Sequence, residues 1–288
     1  MNLIDSALAR RVRASSGLRP LGVAAYRLAD RVIPAGNGPM VVANSMPKSG
    51  THLIGGLLGD LPGMRFNGRY AVFEYADRAD GQWRVDKLDR LLGLLRRGHF
   101  MGAHLVHDPR IEAAIKASGA RMVTILRDPR AVVVSGLHYV VDTEHMRQRA
   151  EALEVFPTRE AMLQAMVFGH GEPGDRFYSP DIGARFAAYV DWTDAGIGHT
   201  LAFEDLVGRQ GGGDDERQHA AVVRLLKYLG YDEAGLPVGD LADRLFSQKS
   251  ATFRKGRVDS WREDLTPDMA GEIARLCRPT MERLGYPE

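Results

Sequence analysis

The stretch that decides the fold is M-V-V-A-N-S-M-P-K-S-G-T-H, residues 40–52. Its apolar start predicts a buried strand, and the residues that follow predict a tight turn and then a helix that begins near Gly50. This arrangement would aim several backbone N–H groups at one point, where the helix N-terminus adds about half a positive charge. Lys48 supplies a full charge, and Ser49 and Thr51 add hydrogen-bond donors. The stretch is therefore either an ordinary turn or a binding loop for an anionic group.

The rest of the chain alternates between predicted strands and helices. Further short apolar runs at 99–105, 121–126 and 199–203 predict strands. Alternating strands and helices predict an α/β fold in three layers, a central parallel sheet flanked by helices, which binds ligands at the carboxyl ends of its strands. The Gly-rich and then acidic stretch 208–217 predicts a flexible loop. Helical spacing occurs at 52–61, 110–118, 129–141, 159–169, 182–195, 216–229 and 266–285.

Composition excludes several classes of protein. The chain has 288 residues, of which 44% are hydrophobic, and a net charge of +1, which gives no support for a nucleic-acid partner. The single cysteine, Cys277, allows no internal disulfide and predicts a reducing, cytoplasmic location. No apolar run approaches the roughly 18 residues of a membrane span. The arginine-rich segment 1–36 predicts amphipathic helical pieces. They either pack on the domain 37–288 or form an arm that makes peripheral contact with a membrane or binds a partner.

Two further segments are candidates for anion binding. In L-R-D-P-R-A-V-V-V-S (126–135), Arg127 follows a predicted strand and Ser135 lies in the helix after it. Arg127 either offers its planar fork to a phosphate or forms a local ion pair with Asp128. In F-R-K-G-R-V-D-S-W-R (253–262), two adjacent cations precede a glycine. That segment is either a loop that closes over an anion or a solvated charged loop.

Taken together and in this order, the three segments resemble the PAPS-dependent sulfotransferases, where PAPS is 3′-phosphoadenosine 5′-phosphosulfate. The family has a P-K-S-G-T loop, an R-x(7)-S pair and an R-K-G-x-x-G-x-W loop, and F-E-D-L (203–206) is similar to its Y-E-D-L segment. The resemblance runs from about residue 40 to about 266 and implies a P-loop-NTPase-like fold. It implies that the donor is bound, without a metal, by Pro47, Lys48, Ser49, Gly50, Thr51, His52, Arg127, Ser135, Arg254, Lys255 and Gly256.

The same resemblance suggests the catalytic base. Cytosolic members carry K-T-H-L-P at a strand end with the histidine as base, and His104 of M-G-A-H-L-V-H-D-P (101–109) matches it, with His107 as a nearby competitor. A histidine can accept a proton near neutral pH. His104 would take a proton from the acceptor while Lys48 stabilises the leaving group in an in-line sulfuryl transfer, which leaves PAP, adenosine 3′,5′-bisphosphate.

The chain also departs from the family pattern. Gly102 stands where the cytosolic members have lysine, and Leu53 stands where many members have a tryptophan that stacks on adenine. Asp259 replaces the second glycine of the third motif, and T-P-D-M (266–269) departs from the dimerisation pattern, so the oligomeric state stays open. These departures leave a P-loop kinase or NTPase, and a non-catalytic nucleotide-binding relative, as alternatives.

The acceptor is not identified by the sequence. Aromatic residues in and near 65–90 and 140–180 are consistent with a small molecule, a sugar or a lipid, and equally with an ordinary core. They are Phe66, Tyr70, Phe73, Tyr75, Trp83, His138, Tyr139, Phe156, Phe168 and Tyr178.

Overall fold

The computed structural model describes residues 36–73, 81–142, 149–175, 177–245 and 257–287. The predicted N-terminal segment 1–36, except for its last residue, and the residues Arg254, Lys255 and Gly256 lie outside this part of the chain.

The described residues form a five-stranded, wholly parallel sheet with the order β2-β3-β1-β4-β5. Strand β1 lies in the centre of the sheet, and all of its residues are therefore buried. Four of the strands were predicted within a residue or two. The strands are β1 (Val41–Ser45), β2 (Arg65–Phe73), β3 (His99–Leu105), β4 (Arg121–Leu126) and β5 (His199–Ala202).

Strand β2 was not predicted, because its sequence hides the alternation of a strand. Asn67 and Gly68 in its middle read as a turn, and Gly68 has a φ of 73°. The pairing with β3 shifts register between Phe66 and Tyr70, which is the mark of a β-bulge. After the bulge, residues 70–73 pair regularly with residues 102–105 of β3.

Helices connect and cover the strands. The predicted helical segments are confirmed to within about two residues, whereas the helices at 81–92, 149–155 and 238–245 were not predicted. The prediction of a flexible loop at 208–217 is wrong for its second half, because a helix begins at Asp215 with Asp214 as its N-cap. The helices are α1 (Thr51–Asp60), α2 (Gly81–Leu92), α3 (Pro109–Ser118), α4 (Pro129–Asp142), α5 (Arg149–Val155), α6 (Arg159–Phe168), α7 (Ile182–Asp194), α8 (Asp215–Tyr228), α9 (Val238–Leu245) and α10 (Pro267–Leu284).

The three layers predicted from the sequence are confirmed by the packing of alternate strand residues. Val41 and Ala43 face a core shared with α1, α8 and α9, while Val42 faces a core built with α2 and α3. A third core gathers α4, α5, α6, α7 and α10 around Leu126 at the carboxyl end of β4. Because β3, β1 and β4 are neighbours in a parallel sheet, their carboxyl ends lie side by side.

One buried side chain ties the ends of β1 and β3 together. Asn44 accepts a hydrogen bond from the backbone N–H of Leu105 at 2.8 Å and donates one to the carbonyl of Leu105 at 3.1 Å. The same carbonyl accepts a hydrogen bond from Trp192 Nε1 at 2.8 Å. The Leu105 N–H therefore depends on Asn44, while its carbonyl has a second donor.

We expect Asn44→Ala to lower the free energy of unfolding by about 1–3 kcal/mol, because it leaves a buried N–H without its acceptor. Urea unfolding followed by circular dichroism measures the change. Asn37→Ala, at an exposed position, is the matched control and should change stability by less than about 0.5 kcal/mol. Equal stability of the two variants would contradict the role of Asn44.

Candidate active site

The loop Pro47–Thr51 follows β1 directly and turns sharply into α1. Lys48 has a φ of 75°, and it is the single non-glycine residue with a positive φ in the described ranges. Ser49 N–H donates to the carbonyl of Met46 at 3.0 Å, which closes the turn. Gly50 has a φ of 115°, a backbone conformation that favours glycine, and a Cβ there would lie 2.9 Å from Ile125 Cδ1.

The N-terminus of α1 is open for an anion. Gly50 is its N-cap and provides no side-chain hydrogen bond to the first helical N–H groups. Such groups, together with the helix dipole, bind phosphate and sulfate well. Ser49 is fully buried, and its Oγ makes no hydrogen bond to any described residue. A buried hydroxyl costs about 1–3 kcal/mol when it has no partner, so the loop fits a ligand that supplies oxygen atoms.

Lys48 points its ammonium group at an aromatic ring. Its Nζ lies 4.0 Å from the centroid of the Tyr139 ring, a distance typical of a cation–π contact. Burial, and secondarily the positive charge of Arg127, lower the pKa of Lys48 to about 8. An anionic ligand would remove both penalties, because it would replace lost hydration and offset the neighbouring cation.

His104 lies at the end of β3, and its hydrogen bonds define which nitrogen is available. Its Nδ1 is 2.8 Å from the carbonyl oxygen of Ser45 and 3.2 Å from Ser45 Oγ, which in turn contacts Thr51 Oγ1 at 2.7 Å. A carbonyl oxygen can only accept, so Nδ1 carries the hydrogen and Nε2 keeps its lone pair. His104 is thereby oriented to accept a proton at Nε2.

His107, the competing histidine, is held by structural contacts. Its Nε2 is 2.9 Å from Glu112 Oε2, and its ring meets the Trp192 ring edge-on at 4.8 Å. Its backbone N–H donates to the carbonyl of Ala188 at 2.8 Å. These contacts anchor the segment after β3 to α3 and α7, and they favour His104 as the base.

Arg127 follows β4 directly and contacts the loop that contains Lys48. Its side chain is only 8% exposed, with Nη1 3.4 Å from the carbonyl of Lys48 and Nη2 3.3 Å from the carbonyl of Arg257. The guanidinium stacks on the ring of Phe203 at 4.1 Å. Two cations thus lie near each other at the carboxyl ends of β1 and β4, as an anion-binding site would require.

The carboxylate of Asp128 forms a buried ion pair with Arg130, not the local pair that the sequence suggested for Arg127. Arg130 Nη2 is 2.7 Å from Asp128 Oδ2, and both side chains are almost fully buried. The Asp128 N–H donates to Glu204 Oε1 at 3.0 Å, and the hydroxyl of Tyr286 donates to Glu204 Oε2 at 2.9 Å. Burial raises the pKa of Glu204. The F-E-D-L segment therefore braces the second motif.

The remaining predicted residues fall at three places. Ser135 is partly buried on α4, one helical turn before Tyr139 and so on the same side of the helix. His52 is exposed in the first turn of α1. Trp261, in the described part of the third motif, lies between the guanidinium groups of Arg130 and Arg262, each 4.3 Å from its ring. The second and third motifs are therefore in contact.

Solved structures with the same fold include a sulfotransferase and retinol dehydratase. Mouse sulfotransferase SULT7A1 complexed with PAP has a TM-score of 0.58 and 16% identity, with 84% of each chain covered. Retinol dehydratase in complex with androsterone and inactive cofactor PAP has a TM-score of 0.53 and 17% identity, covering 89% of this chain and 85% of that one. Retinol dehydratase in complex with retinol and PAP has a TM-score of 0.54 and 16% identity, covering 90% and 86%.

The chain has the sulfotransferase fold. This confirms the fold expected from the three motifs. No protein-family model matches the sequence, and no curated protein matches it either. Across the described ranges, no group of three His, Cys, Asp or Glu side chains is placed to hold a metal, and no helix is long and apolar enough to cross a membrane.

We expect NMR to find His104 as the Nδ1–H tautomer, because Nδ1 donates to the Ser45 carbonyl. Long-range ¹H–¹⁵N spectra of protein labelled at histidine nitrogens measure the tautomer, and loss of the signals in His104→Asn assigns them. Ser45→Ala keeps the carbonyl and should keep the tautomer. Finding the hydrogen on Nε2 would contradict the orientation of the base.

Proposed function

We propose that the protein is a sulfotransferase that moves the sulfuryl group from PAPS to a hydroxyl or amine of a small-molecule acceptor. The observation that carries this proposal is the meeting of Lys48, His104 and Arg127 at the carboxyl ends of three adjacent strands. The fold supports it, because enzymes with this fold have been crystallised with PAP.

In this proposal the donor is held by two groups of residues. The loop Pro47–Thr51, with its open helix N-terminus and the buried hydroxyl of Ser49, would hold the phosphosulfate end. Arg127 and Ser135 would hold the 3′-phosphate, and Arg254, Lys255 and Gly256 would complete that second site. The donor supplies an electrophilic sulfur with a phosphate leaving group.

The protein's own residues have two tasks in the reaction. His104 Nε2 takes the proton of the acceptor while the acceptor oxygen or nitrogen forms its bond to sulfur and the sulfur–oxygen bond to the phosphate breaks. Lys48 and the loop N–H groups stabilise the negative charge that grows on that phosphate, as in phosphoryl transfer. Lys48 is suited to this task because it already lies at the loop, held over Tyr139.

We expect His104→Ala to lower the rate of sulfuryl transfer by about 10²–10⁴-fold, because it removes the base. PAP affinity should be nearly unchanged, since the donor site does not include the imidazole. Transfer of ³⁵S from labelled PAPS to a panel of phenols and alcohols measures the rate, and calorimetry measures PAP binding.

His219→Ala, on the exposed face of α8, is the matched control and should retain full activity. Activity of His104→Ala close to wild type would overturn the assignment of the base. Calorimetry with ATP tests the kinase or NTPase alternative, which predicts that ATP binds more tightly than PAP. Tight PAP binding without transfer to any acceptor would instead identify a non-catalytic relative.

The affinity for PAP should fall as the pH rises through about 8. In the free protein Lys48 has a pKa of about 8, and bound phosphates raise that pKa, so above pH 8 binding must take up a proton. The phosphates of PAP are fully ionised there, because their second pKa lies near ~6. We expect the affinity to drop about tenfold between pH 8 and 9.5, measured by calorimetry.

Lys48→Met should bind PAP weakly and lose this part of the pH dependence. Lys116→Met, on the exposed side of α3, keeps Lys48 and should behave as wild type. A wild-type affinity that is flat across this pH range would place Lys48 outside the donor site.

A further inference from the structure

Gly102, where the family resemblance leads one to expect lysine, is covered by an aromatic ring. Tyr70 of β2 pairs directly with Gly102 of β3. A Cβ at position 102 would overlap Cε1 of the Tyr70 ring and would lie 2.5 Å from Cδ1 and 2.6 Å from Cζ. The ring in this position and any side chain at residue 102 exclude each other. The Tyr70 ring in this position therefore requires glycine at residue 102.

The Tyr70 ring is on the same face of the sheet as the proposed base. Gly102 and His104 are two residues apart on β3, so they face the same side, and Val72 pairs with His104 as Tyr70 pairs with Gly102. Farther back on this face, Phe100 is buried in the core beneath α1. The ring of Tyr70 meets Phe66 edge-on at 5.4 Å, and Phe66 lies 5.5 Å from Phe100, which braces the ring from behind.

Helix α1 does not cover the end of this face. Tyr70 is 46% exposed and Val72 is 47% exposed, although both belong to a strand of the sheet. Isolated exposed apolar residues are common on proteins, but these two are neighbours on one face of β2, and Val72 pairs directly with His104. Neither side chain carries a charge at neutral pH, since an ordinary tyrosine phenol ionises only near pH ~10. The pair is an uncharged apolar ledge beside the base.

We propose that Tyr70 is an acceptor-binding residue, and that its ring takes the place of the lysine side chain and packs against the carbon skeleton of the acceptor. This proposal rests on the proposed function, since it requires His104 to be the base. The ledge, Tyr70 and Val72, selects a neutral acceptor with a flat aromatic or alicyclic body. An acceptor that needs a cation at position 102 would find none there.

The test uses the full chain saturated with PAP and 2-naphthol as the probe. Saturation-transfer NMR titrations give the affinity for 2-naphthol, and ³⁵S transfer gives its KM and kcat. We expect Tyr70→Ala to weaken naphthol binding and raise KM by about tenfold or more, with kcat changed much less, because a ring contact is lost. Tyr70→Phe keeps the ring and should stay within about threefold of wild type. Leu94→Ala removes an equally exposed apolar side chain elsewhere and should have no effect.

Gly102→Ala provides a second route to the same answer without deleting the ring. Its methyl group must push the Tyr70 ring aside, so this variant should also weaken naphthol binding, and Tyr70→Ala with Gly102→Ala should be no weaker than Tyr70→Ala alone. Wild-type naphthol affinity in Tyr70→Ala or in Gly102→Ala would overturn the proposal. Failure of the PAP-loaded wild type to bind 2-naphthol would overturn the class of acceptor. Failure of the wild type to bind PAP at all would instead overturn the proposed function.

Discussion

The relative position of β1 and β3 is the constraint on which the candidate site depends. Two consecutive residues at the end of β1 fix it: Asn44 binds both backbone groups of Leu105, and the carbonyl of Ser45 holds His104. A slip of β3 by one residue would turn His104 to the opposite face of the sheet. The two contacts exclude that slip, and they also set the start of the loop that follows β1. The proposed base and the start of the proposed donor loop are thus held by the same two residues.

The loop that follows β1 also contains a strained residue. Lys48 adopts a left-handed conformation that costs a residue with a side chain roughly 1–2 kcal/mol. A glycine at this position would relieve that strain, so the side chain must contribute something to outweigh it. The ammonium group lies over the Tyr139 ring and near Arg127, a position that agrees with the proposed role of Lys48 in holding an anion.

The sequence was sufficient for the features that depend on local patterns. Apolar runs predicted β1, β3, β4 and β5, and the order of Pro, Lys, Ser, Gly and Thr predicted the loop. Strand β2 was missed because the bulge at Asn67 and Gly68 imitates a turn. The rings of Tyr139 and Phe203 could not be assigned to Lys48 and Arg127 from sequence, because such contacts depend on helix rotation and on packing between distant segments. The packing of the Tyr70 ring on Gly102 depends on the register of two strands, which the local sequence pattern did not reveal.

Arg127 and Arg130 are both buried, but their charges have different surroundings. Asp128 and Arg130 form a buried pair that cancels its own charge and joins α4 to the C-terminal residues, since Arg130 Nη2 also donates to the carbonyl of Pro287. One residue before this pair, Arg127 is directed toward Lys48, and the repulsion between the two cations contributes to the lowered pKa of Lys48. Folding alone does not favour bringing like charges together in a partly buried cleft. A dianionic ligand reverses the sign of that cost, because both cations then face negative charge. The proximity of Lys48 and Arg127 therefore supports the proposal that an anion binds beside them.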